Sequence, residues 1–127
     1  MIYFLIGIGG MIGSLLRYGL SLWMTTMFPS SFFTGTMIAN SVGCFFLGWL
    51  TSRTMKTNRF SPLLTKAVGT GVIGSFTTFS TFSMETVELW MNHEVLLACF
   101  YCFISVITGF FFVFFGWTLG GKEKVTL

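Results

Sequence analysis

The stretch GVIGSFTTFSTF at 71–82 gathers glycines, hydroxyls and aromatic rings inside a chain that is 54% hydrophobic. From Gly69 to Ser83 there are three glycines and seven serines or threonines among fifteen positions. Glycine weakens a helix, and these hydroxyls compete for its backbone hydrogen bonds, so the composition predicts a helix broken near Gly74–Thr78. The alternative is an intact helix whose hydroxyls bond back to carbonyls four residues earlier. A break exposes carbonyls at the end of the first half and N–H groups at the start of the second, attractive to a cation and an anion respectively. Phe79 and Phe82 share a helix face beside it. Two such rings are commonly packing, but the positive edge of a ring can also meet an anion without adding a competing charge. Thr36 with Asn40, and Tyr101 with Ser105, each four apart, could supply donors. Asn40 could equally cross-link two helices. The middles of these segments hold no Asp, Glu, Lys or His, and a neutral polar lining suits a small anion.

The elements that must position these residues are membrane spans. A chain with 19% aromatic and 9% charged residues and a mean hydropathy of +0.83 lies outside the range of soluble domains. Its length accommodates about four spans of roughly 20 residues. The expected fold is an all-α integral membrane protein, a single transmembrane domain over 1–127, with spans at about 2–24, 32–50, 63–90 and 95–117. Arg17 interrupts the first span. The turn TTMFPSS, with Pro29 as breaker, closes it. The connector TSRTMKTNRFSP ends at Pro62, a first-turn residue of the third span. That span leaves through Glu85, Glu88, His93 and Glu94. Small residues at helical spacing, Gly9 with Gly13 and Gly35 with Ala39 and Gly43, predict close helix approach.

Other functions find little support. The net charge of +3 is scattered through short loops, which fits membrane orientation and not nucleic-acid binding. CFYC at 99–102 reads as C-x-x-C but lies mid-span, away from the strand-to-helix context of a thiol oxidoreductase. His93 is the sole histidine and has no catalytic constellation around it, so no enzyme is expected. MIYFLIGIGG has no basic leading region and reads as a span, not a removable signal. Arg53, Lys56, Arg59, Lys66, Lys122 and Lys124 all fall on the side of a four-span chain that holds its termini, predicting cytoplasmic termini in a multi-pass cell-membrane protein.

Three motifs resemble the Fluc (CrcB) fluoride channel family: GGMIGSLLRY at 9–18, GTMIANSVGCFFLG at 35–48 and GVIGSFTTFSTFSME at 71–85. The resemblance covers nearly the whole chain. It implies an antiparallel dimer of four-helix subunits embedded in lipid, with two fluoride pores and a sodium ion at the centre. By motif position it implies that Phe79, Phe82 and Asn40 line the pore, with Thr36, Tyr101 and Ser105 as a polar track. It further implies that the backbone carbonyls of Gly74 and Thr77 hold the sodium. Arg17 matches a family arginine that either draws anions into a vestibule or pairs structurally, and Glu85 an acidic residue at a pore mouth. Gly109 departs from the family pattern, standing where many members carry a serine; Thr108 is the nearest substitute. The implied function is passive export of F⁻. The partner is either an oppositely oriented paralogue or a second copy. The competing reading, a small multidrug transporter, needs an acidic residue in the first span, and there is none.

Overall fold

Apolar runs decide where this chain stays helical, and hydroxyls and glycines decide where it turns. In the computed structural model, which describes residues 1–29, 34–57 and 60–121, α1 is Ile2–Met27 and α2 is Thr34–Thr57. The third apolar segment is divided. It comprises α3 (Pro62–Lys66), a π-helical stretch Ala67–Ile73, a single turn α4 (Gly74–Phe76) and α5 (Phe79–Met91). α6, Val95–Gly120, completes the fold. The expected break falls at the far end of its predicted window, where Thr77 (ψ 156°) and Thr78 (ψ 123°) are extended.

At 26 residues each, α1 and α6 are long and apolar enough to cross a membrane. At 1.5 Å per residue each is about 39 Å long, against a hydrocarbon core of about 30 Å. Several helices outrun the expected spans. α1 continues through Thr25 and Thr26, α2 continues past Leu50 to Thr57, and α6 reaches Gly120. Hydroxyls read as turn formers fold back instead. Thr26 donates to the Trp23 carbonyl, Thr51 to Leu47 and Thr54 to Leu50, each at 2.7 Å. Spending the donor on the helix's own carbonyl keeps it from competing with the backbone. Pro62 sits in the first turn of α3, and the Ser61 hydroxyl caps it by accepting from the Leu64 N–H at 3.1 Å. His93 (φ 63°) turns the chain from α5 into α6. The expected start of the second span at 32, along with Arg59, Lys122 and Lys124, lies outside the described residues.

With no hydrophobic drive between helices in lipid, packing rests on close backbone approach at small residues. The first half of the third segment packs on α1 and α5 packs on α6, so the break is where the segment changes partner. A Cβ on Gly13 would overlap the Val72 carbonyl oxygen, and one on Gly9 would come to 2.6 Å from that of Ala67. The wide π turn thus seats against the expected Gly9–Gly13 pair. The Gly35–Ala39–Gly43 ridge behaves unevenly. Gly43 admits no Cβ because the Thr77 methyl occupies that place, whereas a Cβ on Gly35 would make ordinary contact with Met24 at 3.5 Å. A closer approach, unmarked in the sequence reading, joins α2 to α6. Gly48 meets the Val113 carbonyl, Gly116 that of Phe45 and Gly120 that of Trp49. Outward, Phe4, Leu15, Leu96 and Phe110 are 70–74% exposed, an apolar surface suited to lipid.

Candidate functional site: the interrupted helix and its cleft

Freed backbone groups at membrane depth need partners inside the protein. At Thr78 both come from one side chain. The Asn40 Nδ2–H donates to the Thr78 carbonyl at 3.0 Å, and the Thr78 N–H donates to Asn40 Oδ1 at 2.8 Å. α2 thereby holds the break of the third segment, the cross-linking role open to an intramembrane asparagine. An amide nitrogen carries a second hydrogen, and Asn40 also borders the cleft described below. Thr78 in turn caps α5, its hydroxyl accepting from the Thr81 N–H at 3.1 Å and donating to Thr81 Oγ1 at 3.0 Å. Sequence reasoning missed Thr78. The available signal was a hydroxyl residue directly ahead of a helical run, the usual N-cap.

Two oxygens are released by this arrangement. In a continuous helix the Thr78 N–H would go to the Gly74 carbonyl and the Thr81 N–H to that of Thr77. Here they go to Asn40 and to the Thr78 hydroxyl. Among the described residues, the Gly74 carbonyl keeps only a 3.4 Å contact from the Thr77 hydroxyl.

Phe79, Phe82, Asn40 and Ser105 line one cleft of about 420 Å³, together with Gly74 and Thr77. Phe79 is 80% exposed on the subunit surface. Its ring centroid lies 6.0 Å from that of Phe82, which lies 5.1 Å from Tyr101. The Ser105 hydroxyl is buried and has no hydrogen-bond partner among the described residues. Thr108, the nearest substitute for a hydroxyl at 109, donates back to the Ile104 and Ser105 carbonyls at 2.9 and 3.1 Å. Gly109 has space, since a Cβ there would lie 3.7 Å from Cys44 Sγ. This end of the cleft therefore has fewer free donors than the Ser105 end.

Thr36 and Tyr101 stand elsewhere. Thr36 Oγ1 donates to Glu85 Oε1 and the Tyr101 hydroxyl to Glu85 Oε2, both at 2.6 Å. Glu85 is 5% exposed. The sequence reading put this carboxylate at a pore mouth, with a solvated helix end as the plain alternative; the structure encloses it among α2, α5 and α6. The reason is helical phase, because Phe82, Glu85 and Leu89 share the face of α5 turned inward. Each carboxylate oxygen takes one short charge-assisted bond, the stronger class of hydrogen bond. Arg17 lines a second, polar cleft of about 240 Å³ with Thr36, Thr78 and Thr81. Thr78 borders both clefts.

Comparison with known proteins shows what the chain is similar to. Residues 4–117 match the family described as "CrcB-like protein, Camphor Resistance (CrcB)". The chain is 44% identical over 120 residues to "Fluoride-specific ion channel FluC 1" of Bacillus cereus, covering 94% of this chain and 83% of that protein. It is 43% identical over 122 residues to "Fluoride-specific ion channel FluC 2" of Staphylococcus haemolyticus, covering 96% and 98%. A "Fluoride-specific ion channel FluC" of Oceanobacillus iheyensis is 44% identical over 109 residues, covering 86% and 83%.

Proposed function

This chain belongs to the CrcB-like family, and on that premise we propose that it is a fluoride-specific ion channel that lets F⁻ leave the cell passively across the membrane. It is an all-α membrane protein of a channel family and performs no enzymatic chemistry. The observation that carries the proposal is the cleft itself, lined by Phe79, Phe82 and Ser105, whose hydroxyl no described residue engages. Removing water from so small an anion is costly, so a conducting pore must replace it with donors and ring edges. Ser105, the second hydrogen of Asn40 and the two rings are of that kind. Hydrogen fluoride enters cells from acidic surroundings and dissociates, and the membrane potential then drives F⁻ outward. Expressed in a host lacking fluoride export, the chain should restore growth at fluoride levels that arrest that host. Growth no better than with an empty vector contradicts the proposal.

The pore needs a second subunit, and the whole chain acts as one four-span transmembrane domain. Phe79, Ser80, Thr81 and Gly74 are exposed on the subunit surface around the break, where lipid could not satisfy polar groups. An antiparallel partner covering that surface would close two pores and bring the freed Gly74 and Thr77 carbonyls of both subunits together. Carbonyls at an unwound half-helix end suit a sodium ion, and these two lack the backbone partners a continuous helix would give them. The bound ion would neutralise these converging dipoles. Thr36, Tyr101 and Glu85 flank the pore as a buried network, and Arg17 lines the cleft beyond Thr78. A proton-coupled multidrug transporter is disfavoured, since α1 contains no Asp or Glu.

The chain inserts one way, with both termini cytoplasmic, and pairs in the cell with an oppositely oriented paralogue. Six of its seven Lys and Arg residues are assigned to the cytoplasmic side, while the loops of the other side carry none. At about 2.3 kcal/mol per charge per 100 mV, six charges amount to at most on the order of 14 kcal/mol against the inverted form. Overexpression could still yield antiparallel homodimers. A cysteine at position 57, with Cys44, Cys99 and Cys102 replaced and expression kept native, should be labelled from the cytoplasmic side only. Comparable labelling from both sides would establish dual topology instead.

A further inference from the structure

Asn40 faces two ways: it borders the cleft, and both its amide groups are engaged by the backbone of Thr78. The second relation has a consequence for Gly74. Thr78 is buried at 7% exposure, so its N–H cannot turn to solvent if Asn40 is removed. A buried N–H left unpaired costs about 1–3 kcal/mol. The acceptor one turn back, and the one a regular helix would use, is the Gly74 carbonyl. We propose that Asn40 is a positioning residue for the sodium site: by accepting the Thr78 N–H it holds the Gly74 carbonyl free to face the ion. This rests on the sodium reading above and assigns to Asn40 a part in it distinct from any contact with fluoride.

The two bonds are separable by chemistry. Asn40→Leu removes both the acceptor and the donor, so the Thr78 N–H returns to the Gly74 carbonyl and competes with sodium for it. Asn40→Asp keeps an acceptor for the Thr78 N–H, loses the donor to the Thr78 carbonyl and adds a carboxylate whose charge, when ionised, attracts a cation, so the Gly74 oxygen stays free and sodium is not weakened by competition for it. A residue needed only for helix packing would not divide these variants by their response to sodium.

The test measures thermal unfolding of detergent-purified protein across a sodium titration, with N-methylglucamine holding the ionic strength constant. An ion that binds only the folded state raises the midpoint with its concentration. Wild type should show that rise. Asn40→Leu should need at least about tenfold more sodium for the same shift, the loss expected for one net hydrogen-bond-sized contribution. Asn40→Asp should need no more than about threefold more sodium than wild type. Equal sodium response in wild type and Asn40→Leu overturns the assignment. A tenfold loss in Asn40→Asp overturns it as well, so the test does not depend on Asn40→Leu folding. Absence of any sodium response in wild type overturns the sodium reading itself, a separate outcome.

Discussion

Phe79→Ile and Phe82→Ile each lower fluoride flux by roughly five- to thirtyfold while leaving the assembled protein intact. Isoleucine keeps apolar bulk but has no ring edge. A desolvated ring–ion contact is worth roughly 1–2 kcal/mol, the scale taken here for the anion at the edge, and that energy sets the rate factor. The two positions need not respond equally. Phe82 is half-buried against Tyr101, whereas Phe79 is 80% exposed, on the surface that the proposed partner would cover. Flux per unit of protein, normalised to the size-exclusion peak of the assembled protein, reads the effect. Wild-type flux in both variants would remove the rings from the pore.

Glu85→Ala has the largest effect on stability. Thr36 and Tyr101 are 6% and 3% exposed, and each gives its hydroxyl hydrogen to one carboxylate oxygen. Removing the carboxylate takes the acceptor from two buried hydroxyls, at about 1–3 kcal/mol for each charge-assisted bond lost. The total, roughly 2–6 kcal/mol, is comparable to the whole stability margin of many domains. Glu85→Gln keeps the shape and one acceptor and costs less. The expected result is a depressed unfolding midpoint or aggregation for Glu85→Ala and an intermediate midpoint for Glu85→Gln. A Glu85→Ala protein as stable as wild type would mean that this network does not tie α2, α5 and α6 together.

The contrast between these two sites shows what a sequence reveals. The break was legible because its cause is local: Gly74, Ser75, Thr77 and Thr78 weaken the helix with their own chemistry. The burial of Glu85 was not legible because its partners are 16 and 49 positions away, and an acid near the end of an apolar run looks like a solvated helix end. Its spacing from Phe82 and Leu89 was the overlooked sign that it shares their inward face. The π-helical stretch was not read from the sequence; it lies where α1 approaches at Gly9 and Gly13. Gly116 and Gly120, four apart, were as readable as that pair and mark the α2–α6 contact. The helices run on past the expected spans because threonines such as Thr26 and Thr54 satisfy their hydroxyls on their own helix. Asn40 was weighed both as a pore donor and as a cross-link, and its geometry provides the second while leaving a hydrogen for the first.

Ion selectivity in a membrane that contains nothing else tests fluoride conduction most directly. Protein reconstituted in liposomes loaded with equal fluoride and chloride should release fluoride, read by a fluoride electrode, once a potassium ionophore allows charge to balance, while chloride leaves no faster than from protein-free liposomes. Fluoride release no faster than from protein-free liposomes, or chloride release equal to that of fluoride, would contradict it.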